Sequence, residues 1–164
     1  MEINYNHHGK WSVEAVKQRY ASLRIMLGGA EGFAPEPRTY TNKGGITWIY
    51  NIMDAVVDGV RLSDKACVEL AIDYIDDNLM DSTTGYIRER MARALRHAQL
   101  TEHQKKQLAS TFLKQLEQPS LHKEFKEYSR LFKTIGIEPY RARIEKCAKS
   151  EKHYIRRAVQ RLLA

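Results

Sequence analysis

The chain has 164 residues, 43% of them hydrophobic and 29% charged, with a formal net charge of +7. That length suits one domain, or one domain with a small extension, and the balance excludes a disordered or fibrous chain. No apolar run approaches the roughly 20 residues of a membrane span, and residues 1–10 lack the apolar stretch of a signal peptide. Two cysteines, Cys67 and Cys147, cannot form a disulfide framework, so a reduced, cytoplasmic setting is expected. The charge is unevenly spread. Residues 1–82 hold 8 Lys/Arg against 12 Asp/Glu, net −4, and residues 83–164 hold 19 against 8, net +11. Such asymmetry points to a polyanionic partner for the basic half.

The first predicted helix spans 12–27. Ser12 suits an N-cap and Glu14 the first turn, and Val13, Val16, Tyr20, Leu23, Met26 and Leu27 recur at helical spacing. Gly28-Gly29 stops it. Residues 28–45 read GGAEGFAPEPRTYTNKGG, with neither a helical nor a strand period, and are expected to form an exposed loop, mobile or ordered by a partner. Asn42-Lys43-Gly44-Gly45 lacks the spacing and the hydroxyl residue of a phosphate-binding loop. A strongly apolar helix is predicted at 46–60, with Ile49, Ile52, Met53, Val56 and Val57 on its face, and is expected to be the central buried element. The next helix, 63–80, takes Ser63 as its cap and turns Ala66, Cys67, Leu70, Ala71, Tyr74, Ile75 and Leu79 inward. Asp73, Asp76 and Asp77 gather near its C-terminal end, where they oppose the helix dipole, and read best as a solvated face.

Further helices are predicted at 84–98, 101–117, 120–135, 138–149 and 150–163. They are separated by Asp81-Ser82-Thr83, by Pro119-Ser120 and by Gly136 with Pro139. No segment alternates as a strand over a useful length. The expected fold class is therefore all-α, with about eight helices. Residues 1–45 are expected to hold one helix and the long Gly/Pro-rich loop. Residues 46–164 are expected to form a helical-repeat-like domain, compact with that first helix.

An internal match organises the second half. Leu62-Ser63-Asp64 corresponds to Leu100-Thr101-Glu102, Leu70-Ala71 to Leu108-Ala109, and Tyr74-Ile75 to Phe112-Leu113, an ungapped offset of 38 residues. Tyr86-Ile87-Arg88 with Arg93 and Leu95 likewise matches Tyr154-Ile155-Arg156 with Arg161 and Leu163, at an offset of 68. Repeated helix pairs of this period over 62–164 are similar to HEAT-type α-helical repeats. The resemblance implies antiparallel helix pairs stacked as a short solenoid-like array, each burying on its neighbour an apolar face it cannot bury alone. An ordinary helical bundle whose helices share hydroxyl caps is the alternative.

In such a stack the second helix of each pair lies on one face. Lys123, Lys126, Arg130 and Lys133 form one stripe, opposite Leu121, Phe125, Tyr128, Leu131, Phe132 and Ile135. Arg90, Arg93 and Arg96 lie away from the apolar stripe of 84–98, and Arg156, Arg157 and Arg161 away from that of 150–163. The acids Glu102, Glu117, Glu138 and Glu145 fall on the first helices, leaving three basic faces in succession. These ten cations are the candidate binding residues, for DNA or RNA backbone or for an acidic protein surface. Tyr86, Tyr128 and Tyr154 are candidates to stack on exposed bases if they lie at the ridge edge. Self-association of the acidic 1–82 with the basic 83–164 of another copy is a further option. The apolar faces are committed to a core, so a membrane partner is not expected.

Nothing recommends an enzyme. His7-His8 have no second ligand pair at zinc spacing, and His122 and His153 lie among Lys and Arg. Cys67 and Cys147 read as small buried hydrophobes, and no nucleophile motif is present. The expectation is a non-enzymatic binding or regulatory protein without a cofactor or metal, with an adaptor or inhibitor that binds an acidic protein as the alternative.

Overall fold

A computed structural model describes residues 1–80, 84–118 and 120–164. The chain is 63% helical and predominantly α, with eight α-helices and a small three-stranded sheet among the described residues. Its contacts group into two compact units, Met1–Asp73 and Tyr74–Ala164.

In the first unit, β1 (Glu2–Asn4) runs parallel to β3 (Thr47–Ile49), and β2 (Thr39–Thr41) pairs antiparallel with β3, giving the order β1-β3-β2. The sheet corrects two expectations. Residues 46–60 are not one helix: Thr47–Ile49 is a strand, and α2 (Ile52–Arg61) begins only after Asn51, whose side chain accepts from the Met53 N–H at 2.9 Å. Nor is 28–45 an unstructured loop. It holds β2 and a tight turn in which Asn42 Oδ1 and O accept from the Ile46 and Gly45 N–H groups. Tyr40 stacks on Trp48 across the hairpin, with centroids 5.8 Å apart. The expected division at residue 45 runs through this hairpin.

Helix α1 (Val13–Leu27) is capped by Ser12, as the sequence predicts, and buries Val16 and Tyr20. Helix α2 supplies Ile52, Met53, Val56, Val57 and Val60 to the core. A Cβ at Gly59 would overlap the Cys67 sulfur, so α2 meets α3 (Lys65–Asp77) across a bare α-carbon. The cap of α3 is Asp64 rather than Ser63, with Oδ1 accepting from the Cys67 N–H at 2.9 Å. Asp64 is fully buried. Its Oδ2 takes the Tyr20 hydroxyl at 2.6 Å and the Ala30 N–H at 2.9 Å, and Arg24 stands 4.0 Å away. Arg24 also donates to the carbonyls of Ala30 and Phe33, which pins the start of the expected loop. Burial, reinforced by Asp64, pushes the Tyr20 hydroxyl up to about 12. Asp73, expected on a solvated face, pairs with Arg19 at 2.7 Å.

The second unit holds α4 (Thr84–Leu95), α5 (Glu102–Glu117), α6 (Phe125–Ile135), α7 (Arg141–Cys147) and α8 (His153–Leu163). Their contacts form two rows. Helix α6 packs between α4 and α8, α5 packs on α7, and the rows join through α5 with α6 and α7 with α8. Leu70, Ala71, Tyr74 and Ile75 are buried, and so are their counterparts Leu108, Ala109, Phe112 and Leu113. Helix α5 opens with a capping box, Thr101 and Gln104 each accepting the other's backbone N–H. Asp76, like Asp73 read as solvated, accepts from the Thr111 hydroxyl at 2.6 Å.

Several helices are shorter than expected. Helix α4 ends at Leu95, α6 starts at Phe125 rather than 120, and α8 starts at His153. The segment 138–149 divides into a 3-10 turn, Glu138–Tyr140, and α7. The breaks assigned to Asp81-Ser82-Thr83 and Pro119 lie outside the described residues.

Candidate nucleic-acid interface

Helices α4, α6 and α8 run side by side in the same direction, and four contacts establish it. Near the N-terminal ends, Arg88 of α4 donates to Glu124 Oε1 at 2.7 Å, just ahead of α6. One turn or so further along, Arg93 lies 3.5 Å from Glu127. At the other end, Lys133 near the close of α6 donates to the carbonyls of Arg161 and Ala164, which close α8. Leu121, His122, Lys123 and Phe125, around the start of α6, share a cleft with one side of α8 from His153 and Tyr154 to Arg161. The starts of the three helices therefore share one edge.

Arg88 and Glu124 hold that edge together. Their side chains are 3% and 2% exposed. Arg88 Nε also donates to Glu124 Oε1 at 3.2 Å, and Nη1 donates to the Leu79 carbonyl, so one guanidinium ties the chain before α4 to the start of α6. A Cβ at Gly85 would lie 3.3 Å from Glu124 Oε2, so glycine there suits the close approach of the two helix starts.

The ten predicted cations do not form one uniform face. Glu127, buried on α6, takes Arg130 at 2.6 Å and Arg93 at 3.5 Å, and Arg93 also pairs with Glu89 at 3.2 Å. The expectation that acids keep to the first helices is corrected by Glu89, Glu124 and Glu127. Lys133 is engaged with the end of α8, and Arg156 donates to the carbonyls of Ser150 and Glu151. Arg90 and Arg96 are half-buried. Lys123, Lys126, Arg157 and Arg161 are exposed, and no acidic side chain pairs with them among the described residues.

Three of those four converge. Lys123, Arg157 and Arg161 line a cleft of about 320 Å³ with Leu121, His122, Phe125, His153, Tyr154 and Ala158. No acid lines it. Helix dipoles add to its field, because the positive ends of α6 and α8 lie beside it. His122 Nε2 is buried there without a hydrogen-bond partner. Lys123 also sits over the ring of Tyr86, 2.9 Å from its centroid. Tyr86 and Tyr154 are exposed, by 59% and 39%, whereas Tyr128 is fully buried and cannot meet a ligand.

His122 and His153 are the cleft residues that sequence reasoning set aside, because it asked only whether they could bind metal. Their positions carried a signal: each stands beside the start of a second helix, next to a lysine or tyrosine. Among the described residues no group of three His, Cys, Asp or Glu is placed to hold a metal ion. Burial pushes the Cys67 thiol upward, so it stays protonated and unreactive. No described helix is long and apolar enough to cross a membrane. No family model matches the chain, and no curated protein or solved structure is significantly similar to it.

Proposed function

We propose that this protein binds the phosphate backbone of nucleic acid, without a catalytic step of its own, along the edge where α4, α6 and α8 begin. The observation that carries the reading is the cleft between Leu121, His122, Lys123 and Phe125 and one side of α8, where Lys123, Arg157, Arg161, His122 and His153 gather with no acid among the described lining residues. Flexible cations on a ridge suit phosphates better than base edges, because released counterions drive the affinity and carry no sequence information. Arg157 and Arg161 can each grip a phosphate through two N–H groups. The two helix rows and the 38-residue offset support a short HEAT-like stack as the scaffold. The free cysteines fit a reduced, cytoplasmic setting.

Binding of a fluorescent oligonucleotide, followed by anisotropy over a salt series, tests the reading. Contact with about four phosphates gives a log–log salt slope near −3 to −4. Lys126→Glu with Arg157→Glu weakens binding to all sequences alike, and the melting temperature hardly moves, since exposed charges contribute only about 0–1 kcal/mol to folding. Absence of salt-sensitive binding by the wild-type protein overturns the proposal. So does loss of an acidic protein partner in a pull-down while nucleic-acid binding by the double variant is unchanged.

A further inference from the structure

We infer that the nucleic acid taken by this edge is single-stranded, with unpaired bases stacked on Tyr86 and Tyr154 and a phosphate seated between them in the Lys123–Arg157–Arg161 cleft. The inference rests on the backbone-binding reading and narrows its substrate.

The argument begins with which aromatic rings reach solvent. In Tyr74–Ala164 the rings of Tyr74, Phe112, Phe125, Tyr128 and Phe132 are buried, and Phe112 packs against Phe125, Tyr128 and Phe132. Tyr86 and Tyr154 alone among the described aromatic side chains of this unit are classed as exposed. They occupy matching places, Tyr86 as the third residue of α4 and Tyr154 as the second of α8, each followed by a buried isoleucine, Ile87 or Ile155. Folding does not require a ring at these sites, because the isoleucine beside each one does the packing.

Both rings are also set beside cations. Lys123 stands over Tyr86 and lines the cleft that Tyr154 lines, so one lysine lies between the two tyrosines. Lys152 lies 5.8 Å from the centre of the Tyr154 ring. An exposed ring alternating with a cation is the pattern that tracks a single strand, in which the base stacks on the ring and the next phosphate meets the charge. A duplex has no use for it. Its bases are already stacked and paired, so their faces cannot reach a tyrosine, and only the phosphates would be engaged. Lys123 stands over the ring of Tyr86, which still remains 59% exposed.

The test compares an oligodeoxyuridine and an oligouridine of about 16 nucleotides with a duplex of the same length, by anisotropy at one fixed salt concentration. The two single strands distinguish DNA from RNA through the 2′-hydroxyl. At least one of them binds more tightly than the duplex. Tyr154→Ala and Tyr86→Ala each weaken single-strand binding by about 5- to 150-fold, the range for losing one stacked base. Tyr154→Phe, which keeps the ring, retains most of the affinity, and none of these variants changes the salt slope or the melting temperature appreciably. If the duplex binds as well as both single strands, or if both alanine variants bind normally while Lys126→Glu with Arg157→Glu weakens binding, the single-strand inference fails and the backbone reading stands. If no probe shows salt-sensitive binding, both fail.

Discussion

Residues 1–73 bury a single carboxylate, Asp64, whereas residues 74–164 bury a closed ion pair, Arg88 with Glu124. Asp64 spreads its charge over neutral donors: the Tyr20 hydroxyl and two backbone N–H groups, with Arg24 only at its margin, 4.0 Å away. The arrangement serves a piece of chain without regular structure, since Ala30 and Phe33 are held by the same network. Arg88 and Glu124 instead cancel one another and register two helices side by side. A charge held by local donors organises a loop. A charge held by its opposite organises a row of helices, and here that row begins at the edge proposed to bind nucleic acid.

The largest expected effect comes from breaking the pair. Glu124→Leu leaves Arg88 buried without a counter-ion and destabilises the protein by about 3–5 kcal/mol. The double variant Arg88→Met with Glu124→Leu recovers most of that loss, since the attraction in such pairs scarcely exceeds the cost of desolvating them. Thermal melts of the three proteins decide the matter. A double variant as unstable as Glu124→Leu would mean that the pair itself contributes the stability.

Asp64→Asn is expected to cost less, about 2 kcal/mol, because it replaces charge-assisted hydrogen bonds and sets an amide N–H against the Ala30 N–H or the Tyr20 hydroxyl. Its signature is local. Trypsin should cut at Arg38 or Lys43 sooner than in the wild type, and earlier than within any helix. An unchanged cleavage order would show that the sheet alone holds residues 28–45.

The smallest effect is a pH dependence at the alkaline end. The folded-state value of Tyr20, about 12, lies above its ordinary value of 10.0, so the folded protein keeps this proton longer than the unfolded chain does. The contribution is therefore complete below pH 10 and is lost as pH rises from about 10 to 12. Tyr20→Phe should flatten that part of a stability–pH curve. A curve of unchanged steepness would place the alkaline loss elsewhere in the molecule.

Much of the helical content was legible, because helix hydrogen bonds and caps close within a few residues of sequence. Ser12 is a cap as read, Thr101, the counterpart of Ser63 in the internal match, caps α5, and the buried stripes of α2, α5 and α6 follow the apolar periodicity. The sheet was not legible. Thr47–Ile49 is three residues long, and its partner Glu2–Asn4 lies more than forty residues away, so neither strand shows a period by itself. The apolar run 46–60 looks continuous although its first part pairs in a sheet and only its remainder is helical. In the candidate site, the stripe of Lys123, Lys126, Arg130 and Lys133 was readable as a stripe. Which of those charges remain unpaired was not, because the answer depends on a neighbouring helix.

The sequence by itself determined the predominance of helix, the basic character of the second half and the inward faces of α2, α5, α6 and α8, all of which depend on spacing within one segment. In α1, by contrast, the expected Met26 and Leu27 are exposed and only Val16 and Tyr20 are buried. Tertiary structure decided the rest. It set Glu127 between Arg93 and Arg130 and paired both exposed arginines with that acid, while Lys126 and Arg157 pair with no acid among the described residues. It brought His122, beside α6, to the same cleft as His153, Arg157 and Arg161 on α8. Ion pairs and clefts join atoms only a few ångströms apart in space but 30 or more residues apart in the chain, a separation that helical periodicity does not encode.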